Sequence, residues 1–516
     1  MVKPHKVFIL LFTILTILVG VSLLTPSEGF RVGTYTFRIP SVLQLFELDT
    51  TKRLQEFALD PELIMLDQML DSIALKSESN IVEDNDTATD SIVLFPADTL
   101  SADTIPERES IKPTDAKKTI DVLKSRLTQI ETKDSNLEPL EHFFSALAQG
   151  HASSRQVRVM HYGDSQIEGD RITSFLRSRF QARFGGQGVG LLHAVPHSYQ
   201  PATVNQTISN NWRQVHLADL GRGAVGNRFG VLGGYSSFTS TRRASRGGFT
   251  EAWIRVQRTG SRSRPARNFT QFRLFYGNAT EPFLVSLSYA GSTQDADMVP
   301  PTSTIKQIRW NVPVSANTVQ IDFRGDEGPH VYGISLESPT GIVVDNIPIR
   351  GSSGVDFTRA DDHSLRTAFG MFDPRLIILQ FGVNVVPHIV ESYTYYENQM
   401  YQQIIALQRA CPNASIILIG VSDMSRREGG RYISYPNIEK IRDAQRNAAF
   451  RANVAFWDCY QAMGGANSMP AWVNASPRLA SPDYVHFTLR GSNLIAEMFY
   501  SSLMHAYESY INNETN

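Results

Sequence analysis

The chain has 516 residues, a length that accommodates two or three domains. Apolar residues make up 42% of it, enough for a large buried core, and the formal net charge is only −2. Because a basic excess is missing, the composition gives no indication of nucleic-acid binding, and no nucleic-acid partner is predicted.

The first predicted element is an apolar segment at the N-terminus. Residues 1–6 are basic, and residues 7–24 carry no charge over a length close to that of a membrane span. The basic flank predicts that the N-terminus stays in the cytoplasm and that the rest of the chain is exported to the periplasm or cell envelope. We favour an anchor in the inner membrane within residues 1–28, and a cleaved signal peptide is the alternative.

Two segments follow this N-terminal element. Residues 29–75 form a mixed juxtamembrane segment. Residues 76–118 are rich in Ser, Thr, Asp and Glu and lack any helical or strand period. Such a composition cannot bury enough apolar surface to fold alone, so we expect a disordered linker there.

Strand and helix patterns alternate in residues 136–200 and return in residues 340–516. Residues 157–161 are a short apolar strand before an amphipathic helix, and strands at 376–381 and 415–420 are each followed by helical patterns. This alternation predicts an α/β fold with a doubly wound parallel sheet.

The segment between these two stretches has a different pattern. Residues 201–339 contain short alternating strands separated by Gly, Asn, Pro and Ser. That spacing is typical of an antiparallel β-sandwich. The simplest architecture is one α/β domain, 136–200 and 340–516, interrupted by an inserted β module.

A serine follows the first strand of the α/β pattern, in Gly163-Asp164-Ser165-Gln166. Active sites of parallel α/β folds form at the carboxyl ends of strands, so Ser165 is a candidate nucleophile. Its own N–H, at the start of a helix, can face a developing oxyanion. We interpret Asp164 as a turn-stabilising residue, and His161 as a structural histidine at the end of the strand.

Partners for this serine occur later in the chain. His486 is a candidate general base, and Asp483, three residues before it, can reach the far ring nitrogen. Asn384 follows the strand at 376–381 and can donate to an oxyanion. Gly351 lies where the chain re-enters the α/β domain, and a glycine allows close approach of a backbone N–H.

Each motif alone has an ordinary structural interpretation. Gly-Asp-Ser is also a helix N-cap, Asp-x-x-His also a surface cap or a pair of metal ligands, and Gly-x-Asn also a turn. Their occurrence together, in one order and at strand ends or helix starts, favours catalysis.

This order of motifs resembles the SGNH/GDSL hydrolase family, whose four sequence blocks contribute Ser, Gly, Asn and His. The resemblance implies a catalytic triad and an oxyanion hole made of the following residues: Ser165, His486 and Asp483 for the triad, and Ser165, Gly351 and Asn384 for the hole. For the block-two glycine, Gly354 or a glycine of residues 185–188 is an alternative to Gly351. Two positions depart from many members: Gln166 replaces Leu, and Val385 replaces Asp.

An inserted β module after the first block resembles the bacterial peptidoglycan and polysaccharide O-acetylesterases. The resemblance implies a jelly-roll module at 201–339 and a serine esterase that removes O-acetyl groups from acetylated peptidoglycan or another polysaccharide. Two alternatives stay open: a polysaccharide O-acetyltransferase on the same fold, and a non-catalytic glycan-binding envelope protein.

Other sequence features are less specific. The chain lacks metal-ligand spacings, a phosphate-binding glycine loop and a dinucleotide fingerprint, so no metal or cofactor is predicted. Cys411 and Cys459 are expected at opposite ends of the sheet, too far apart for a disulfide. Twelve arginines and two acidic residues lie between Arg213 and Arg273. They predict either a surface for an acidic glycan or a solvated basic face.

Overall fold

The computed structural model describes residues 30–32, 35–37, 127–149, 155–196, 204–217, 228–239, 249–259 and 264–514. The predicted membrane segment at 7–24 and the linker at 76–118 lie outside these ranges. Among the helices described, none combines the length and the apolar character needed to span a membrane. The chain divides into two units, residues 1–58 and 59–516.

The elements described are as follows in chain order. In the first unit, two short strands pair in antiparallel fashion: β1 (Phe30–Val32) and β2 (Tyr35–Phe37). The second unit begins with α1 (Glu141–Ala148), β3 (Gln156–Gly163), α2 (Thr173–Phe184) and β4 (Gly190–Leu192). A long β-rich stretch follows, with β5 (Val204–Ile208), β6 (Trp212–His216), β7 (Gly234–Phe238), β8 (Thr250–Arg258), α3 (Arg264–Arg267), β9 (Gln271–Gly277), β10 (Phe283–Tyr289), β11 (Ser292–Val299), β12 (Lys306–Asn311), β13 (Thr318–Gly325) and β14 (His330–Glu337).

Strands and helices then alternate to the end of the described chain. They are β15 (Gly341–Pro348), α4 (Asp362–Phe372), β16 (Pro374–Gln380), α5 (Thr394–Ala410), β17 (Ser415–Ile419), the hairpin strands β18 (Ser425–Glu428) and β19 (Arg431–Ser434), α6 (Ile438–Arg451), β20 (Ala455–Trp457), α7 (Cys459–Ala462), α8 (Ser468–Asn474) and α9 (Leu489–Glu514).

Five strands form a parallel sheet in the order β15-β3-β16-β17-β20. Helices α1, α2 and α9 pack on one face, and α4, α5 and α6 pack on the other. Because both faces are buried, β16 and β17 are mostly apolar, whereas β3 and β15 also carry buried charged residues such as Arg158 and Asp345. The predicted α/β class with a parallel sheet is therefore confirmed. The strand order reverses between β3 and β16, and a crevice opens at such a point beyond the carboxyl ends of the strands.

Two antiparallel sheets fill the interval between β3 and β15. One has the order β11-β10-β13-β8-β5, and the other has the order β12-β9-β14-β7-β6. Apolar side chains from both sheets, such as Ile321 and Leu274, share one core, so the sheets pack face to face. β4 precedes the predicted module boundary at residue 201, yet it pairs with β14 of the second sheet.

The second of these sheets joins the parallel sheet through a buried group of charges. Arg158 of β3 donates from Nη1 to both carboxylate oxygens of Asp345 on β15, each at 2.8 Å, and from Nη2 to Glu337 at the end of β14. Arg273 of β9 donates to the other oxygen of Glu337 at 2.9 Å. Both guanidinium groups lie over the ring of Phe372, at 5.1 and 5.4 Å from its centroid. We call these four charged residues the junction network.

The junction network includes one arginine of the arginine-rich segment that runs from Arg213 to Arg273. Arg273 is buried in it and is therefore not available to an external acidic ligand. Arg258 donates to the backbone carbonyl groups of Ala316, Arg267 and Phe269 and lies 3.7 Å from the Phe269 ring centroid. These two arginines have structural roles, while several others of the segment lie outside the described residues.

We expect Glu337→Gln to lower the free energy of unfolding by roughly 3–5 kcal/mol, because it leaves buried guanidinium charge without its partner. The measurement is urea denaturation of the full chain. Glu251→Gln is the matched control, since Glu251 forms only an exposed pair with Arg324 at 3.8 Å. Such a pair contributes about 0–1 kcal/mol. Equal losses in both variants would contradict this account of the junction.

The lowered pKa of the Glu337 carboxyl group predicts that the stability of the fold depends on pH. Burial alone would raise the pKa of Glu337, but Arg158 and Arg273 outweigh it and lower this pKa from 4.5 to about 2. A carboxyl group whose pKa is lower in the folded state stabilises the fold above its unfolded pKa. The difference in stability between wild type and Glu337→Gln should be complete above pH 4.5 and shrink as the pH falls toward 2. Urea denaturation of both proteins across this pH range tests the prediction. A difference in unfolding free energy that does not change with pH would contradict it.

Candidate active site

Ser165 lies on the turn that follows β3, at the point where the strand order reverses. The strand ends at Gly163, where a Cβ atom would lie 2.9 Å from the Gln380 carbonyl of β16, so a larger residue would push the strands apart. Asp164 N–H then donates to the same carbonyl at 3.2 Å. The turn thus places Ser165 beyond the carboxyl end of the sheet, as the sequence predicts.

His486 and Asp483 lie on the loop between α8 and α9, which we call the histidine loop (residues 481–488). One oxygen of Asp483 accepts the backbone N–H groups of Val485 at 2.9 Å and His486 at 3.0 Å. The other accepts the His486 ring at Nδ1, at 2.8 Å. A single carboxylate therefore shapes the loop and orients the imidazole.

The structure joins the three predicted residues in one hydrogen-bonded chain. Ser165 Oγ lies 2.8 Å from His486 Nε2. With Nδ1–H donated to Asp483, the lone pair of Nε2 faces the serine hydroxyl, which is the arrangement that general-base activation of a serine requires. Partial burial would raise the pKa of Asp483, but hydrogen bonds from His486 and Val485 outweigh it and lower the pKa. Asp483 therefore stays ionised to a lower pH than a free aspartate.

Tyr484 gives the histidine loop an unusual backbone. Its φ is +60°, in the left-handed region that costs a residue other than glycine roughly 1–2 kcal/mol. Its ring stacks on Tyr432 of the β18–β19 hairpin, with centroids 3.6 Å apart, and its carbonyl accepts the Ser425 N–H at 3.1 Å. These contacts from the hairpin offset the strain.

Asp164 and His161 lie close to Ser165 in the sequence but take no part in the hydrogen bonds that join Ser165, His486 and Asp483. Asp164 is buried and accepts the Gln166 N–H at 3.0 Å. Burial raises its pKa to about 7, against the opposing effect of the N–H groups of Gln166, Val383 and Gly382. His161 contacts Gln380 and Thr173, and burial lowers its pKa to about 3. Both positions match the structural roles predicted for them.

The two other predicted oxyanion donors lie beside Ser165. Gly351 and Asn384 line the same cleft as Ser165, Asp483 and His486, an open cleft of about 910 Å³. One N–H of the Asn384 amide donates to the Ser352 carbonyl at 2.8 Å, which leaves the second N–H for substrate. Gly351 has a φ of +78°, a conformation that favours glycine.

The alternative glycines are placed differently. Gly354 N–H donates to Ser352 Oγ at 2.8 Å, so it is occupied within its own turn. Gly186 packs against the backbone of Ile342, at the start of β15 and therefore at the opposite edge of the sheet. Gly351 remains the predicted block-two donor, and the catalytic role of each of these residues remains a prediction.

Sequence reasoning missed two residues that connect the nucleophile to the histidine loop. Gln166 Nε2 donates to the Val485 carbonyl at 2.7 Å, and Arg171 donates to the carbonyls of Ser165 at 2.8 Å and Phe487 at 3.4 Å. One signal was available: Arg171 places a cation just before α2, where the helix dipole favours anions.

The described residues contain no group of three or more His, Cys, Asp or Glu side chains that could hold a metal ion. Cys411 and Cys459 are free, buried thiols. Burial raises the pKa of Cys411 to about 12, so this thiol is not reactive at neutral pH.

Comparison with known proteins identifies the class to which this fold belongs. Residues 317–494 match the sequence model of the GDSL-like lipase/acylhydrolase family. That match begins inside the β module and extends past His486, whereas Ser165 lies before it. The chain therefore contains a GDSL-like lipase/acylhydrolase domain and is a carboxylic ester hydrolase, which confirms the resemblance seen in the motifs.

One solved structure with a TM-score above 0.5 shows the same fold. A structure titled "Peptidoglycan O-acetylesterase in action" is 20% identical and aligns over 74% of this chain and 99% of its own, with a TM-score of 0.58. An acetyl xylan esterase is 17% identical over 31% of this chain and 81% of its own, with a TM-score of 0.25. A family two carbohydrate esterase from Clostridium thermocellum is 10% identical over 50% of this chain and 92% of its own, with a TM-score of 0.23. A search of curated proteins finds no match.

We expect Asn384→Ala to lower kcat for 4-nitrophenyl acetate by about 10²–10³-fold, because it removes one oxyanion donor. The KM for this small ester should change little, since the donor acts on charge that develops in the transition state. Asn211→Ala is the matched control: Asn211 is an exposed amide that donates to two backbone carbonyls in the β module. If Asn384→Ala retains wild-type kcat, Asn384 is not an oxyanion donor.

Proposed function

We propose that the protein is a serine esterase that removes O-acetyl groups from a cell-envelope or other polysaccharide, with acetylated peptidoglycan as the preferred substrate class. The observation that carries the proposal is the hydrogen-bonded chain from Ser165 through His486 to Asp483. The structural similarity to a peptidoglycan O-acetylesterase, over 99% of that protein, supports the choice of ester.

In the first half-reaction, Ser165 Oγ attacks the ester carbonyl while His486 Nε2 takes the hydroxyl proton. Asp483 stabilises the imidazolium that forms. The oxyanion accepts hydrogen bonds from the backbone N–H groups of Ser165 and Gly351 and from the Asn384 amide. The sugar alcohol then leaves with the proton that His486 returns.

In the second half-reaction, water attacks the acyl-enzyme. His486 takes a proton from this water, and the same three donors hold the second oxyanion. Collapse breaks the bond to Ser165 Oγ, the serine recovers its proton from His486, and acetate is released. The cycle needs no cofactor, because water is the only co-reactant.

The proposal places the enzyme in the periplasm or cell envelope, anchored in the inner membrane by residues 7–24. Its support is the uncharged run with its basic flank. The jelly-roll identity of residues 201–339 is proposed on the same footing, from the resemblance of the motif order.

We expect Ser165→Ala to abolish acetate release, with a loss of about 10⁴–10⁶-fold from the removal of a nucleophile. Acetate release is measured with O-acetylated peptidoglycan, O-acetylated xylan and 4-nitrophenyl acetate. Ser292→Ala, an exposed serine of the β module, is the control and should match wild type.

Two outcomes would contradict the proposal. Folded wild type that releases no acetate from any of the three substrates would exclude hydrolysis. Acyl transfer that occurs only when a glycan acceptor is added would support the O-acetyltransferase alternative. Preference for acetylated xylan over peptidoglycan would leave the esterase in place and change its substrate class.

A further inference from the structure

The backbone on both sides of His486 is held by side chains of the segment that carries Ser165. Gln166 is the residue directly after the nucleophile, and its Nε2 donates to the carbonyl of Val485 at 2.7 Å. Arg171, six residues after the nucleophile, donates from Nη1 to the carbonyl of Phe487 at 3.4 Å. Val485 and Phe487 are the two neighbours of His486 in the chain.

Arg171 also holds the nucleophile side of this connection. Its Nη2 donates to the carbonyl of Ser165 at 2.8 Å, and its Nε donates to the carbonyl of Glu168 at 2.8 Å. One rigid guanidinium thus fixes the turn of the nucleophile and reaches across to the histidine loop. A planar fork of donors suits such a task, whereas a flexible ammonium does not.

Gln166 is held in place through both its side chain and its backbone. It is only 2% exposed, and its amide also contacts Ser422 Oγ at 3.3 Å. Its backbone N–H is held by Asp164 at 3.0 Å, so the residue is fixed at both ends. By contrast, His486 and Asp483 have 30% and 48% of their side chains exposed, so surrounding packing does little to hold them.

We propose that Gln166 and Arg171 are positioning residues that hold the His486 backbone at the distance and orientation that activate Ser165. This inference rests on the proposed function of Ser165 as nucleophile. Two neighbouring carbonyls of the loop are bound without the nucleophile segment: Tyr484 by the Ser425 N–H, and His486 by the Ser481 N–H. Gln166 and Arg171 therefore connect the backbone of the histidine loop to the segment that carries Ser165. Loss of either contact would allow His486 to move relative to Ser165.

The first test is Gln166→Met in the full chain, which keeps the length of the side chain and removes its donor. The matched control is Gln181→Met, since Gln181 is also buried and also donates from Nε2 to a backbone carbonyl, that of Gly188 at 3.0 Å. We expect kcat for 4-nitrophenyl acetate to fall about 10- to 100-fold in Gln166→Met, the size of effect that a displacement near 1 Å produces. KM should stay within about twofold of wild type, and Gln181→Met should retain kcat.

The second test is chemical rescue of Arg171→Ala. Arg171 lines the open cleft, so a small guanidinium ion can enter the vacated space. Added guanidinium should restore part of the lost kcat in Arg171→Ala. The control is Arg258→Ala, because Arg258 likewise donates to backbone carbonyls but lies in the β module, and rescue of kcat is not expected there.

Three results would overturn the proposal. Wild-type kcat in Gln166→Met would do so, and so would equal losses of kcat in Gln166→Met and Gln181→Met, which would indicate general destabilisation. For Arg171→Ala, a raised KM with unchanged kcat would assign Arg171 to substrate binding instead.

Labelling of Ser165 by a 4-nitrophenyl phosphonate separates this proposal from the proposed function. A wild type that is labelled but hydrolyses no ester would refute the esterase, while slower labelling of Gln166→Met than of Gln181→Met would still support the positioning role. Equal labelling rates in the two variants would overturn it. A wild type that is neither labelled nor active would overturn both.

Discussion

The rest of the structure depends on the buried guanidinium of Arg158. It binds Asp345 on the adjacent parallel strand and Glu337 on the β module, with every charged group almost fully buried. Removing charges from water is costly, so such a group is tolerated only when all partners are in place. A shift of one residue between β3 and β15 would separate Arg158 from Asp345. Because β3 leads into Ser165 and β15 leads into Gly351, the register that these charges require also sets where the two residues meet.

In the candidate site, the predicted catalytic side chains His486 and Asp483 are partly exposed, whereas the residues that support them are buried. Despite this partial exposure, the hydrogen bonds among the three predicted catalytic side chains are short. The supports lie beneath them: Asp164 and Gln166 are buried and connect the nucleophile turn to neighbouring loops. A reactive constellation is held precisely only when the residues around it are themselves locked by packing and hydrogen bonds. In this chain both supports bind backbone groups rather than the reacting atoms: Asp164 accepts backbone N–H groups, and Gln166 donates to the Val485 carbonyl.

The sequence was sufficient for the α/β class and for bringing Ser165 and Asn384 to one edge, because parallel strands end at the same edge whatever their partners. His486 lies between two helices, so its place was predicted from the motif order rather than from a strand end. It was insufficient where the outcome depends on distant pairing. Arg158 and Glu337 are 179 residues apart, and no local pattern links them. The choice between Gly351 and Gly354 depends on a single hydrogen bond, which the Gly354 N–H donates to Ser352 Oγ. Membership of β4 in the module, and the left-handed backbone of Tyr484, likewise follow from contacts with β14 and with Tyr432.

The junction network also constrains how the β module can take part in function. Rotation of the module about its connection to β15 would pull Glu337 away from Arg158 and Arg273 away from the Met371 carbonyl, and would separate the rings of Phe275 and Phe372, whose centroids are 4.4 Å apart. Breaking one partner out of a buried charged group costs roughly 3–5 kcal/mol, which corresponds to an open population below about 1%. A ligand would have to supply that difference through contacts made only in the rotated state. The module is therefore held in one position relative to the parallel sheet, and the register of β3 and β15 that leads to Ser165 and Gly351 is set with it.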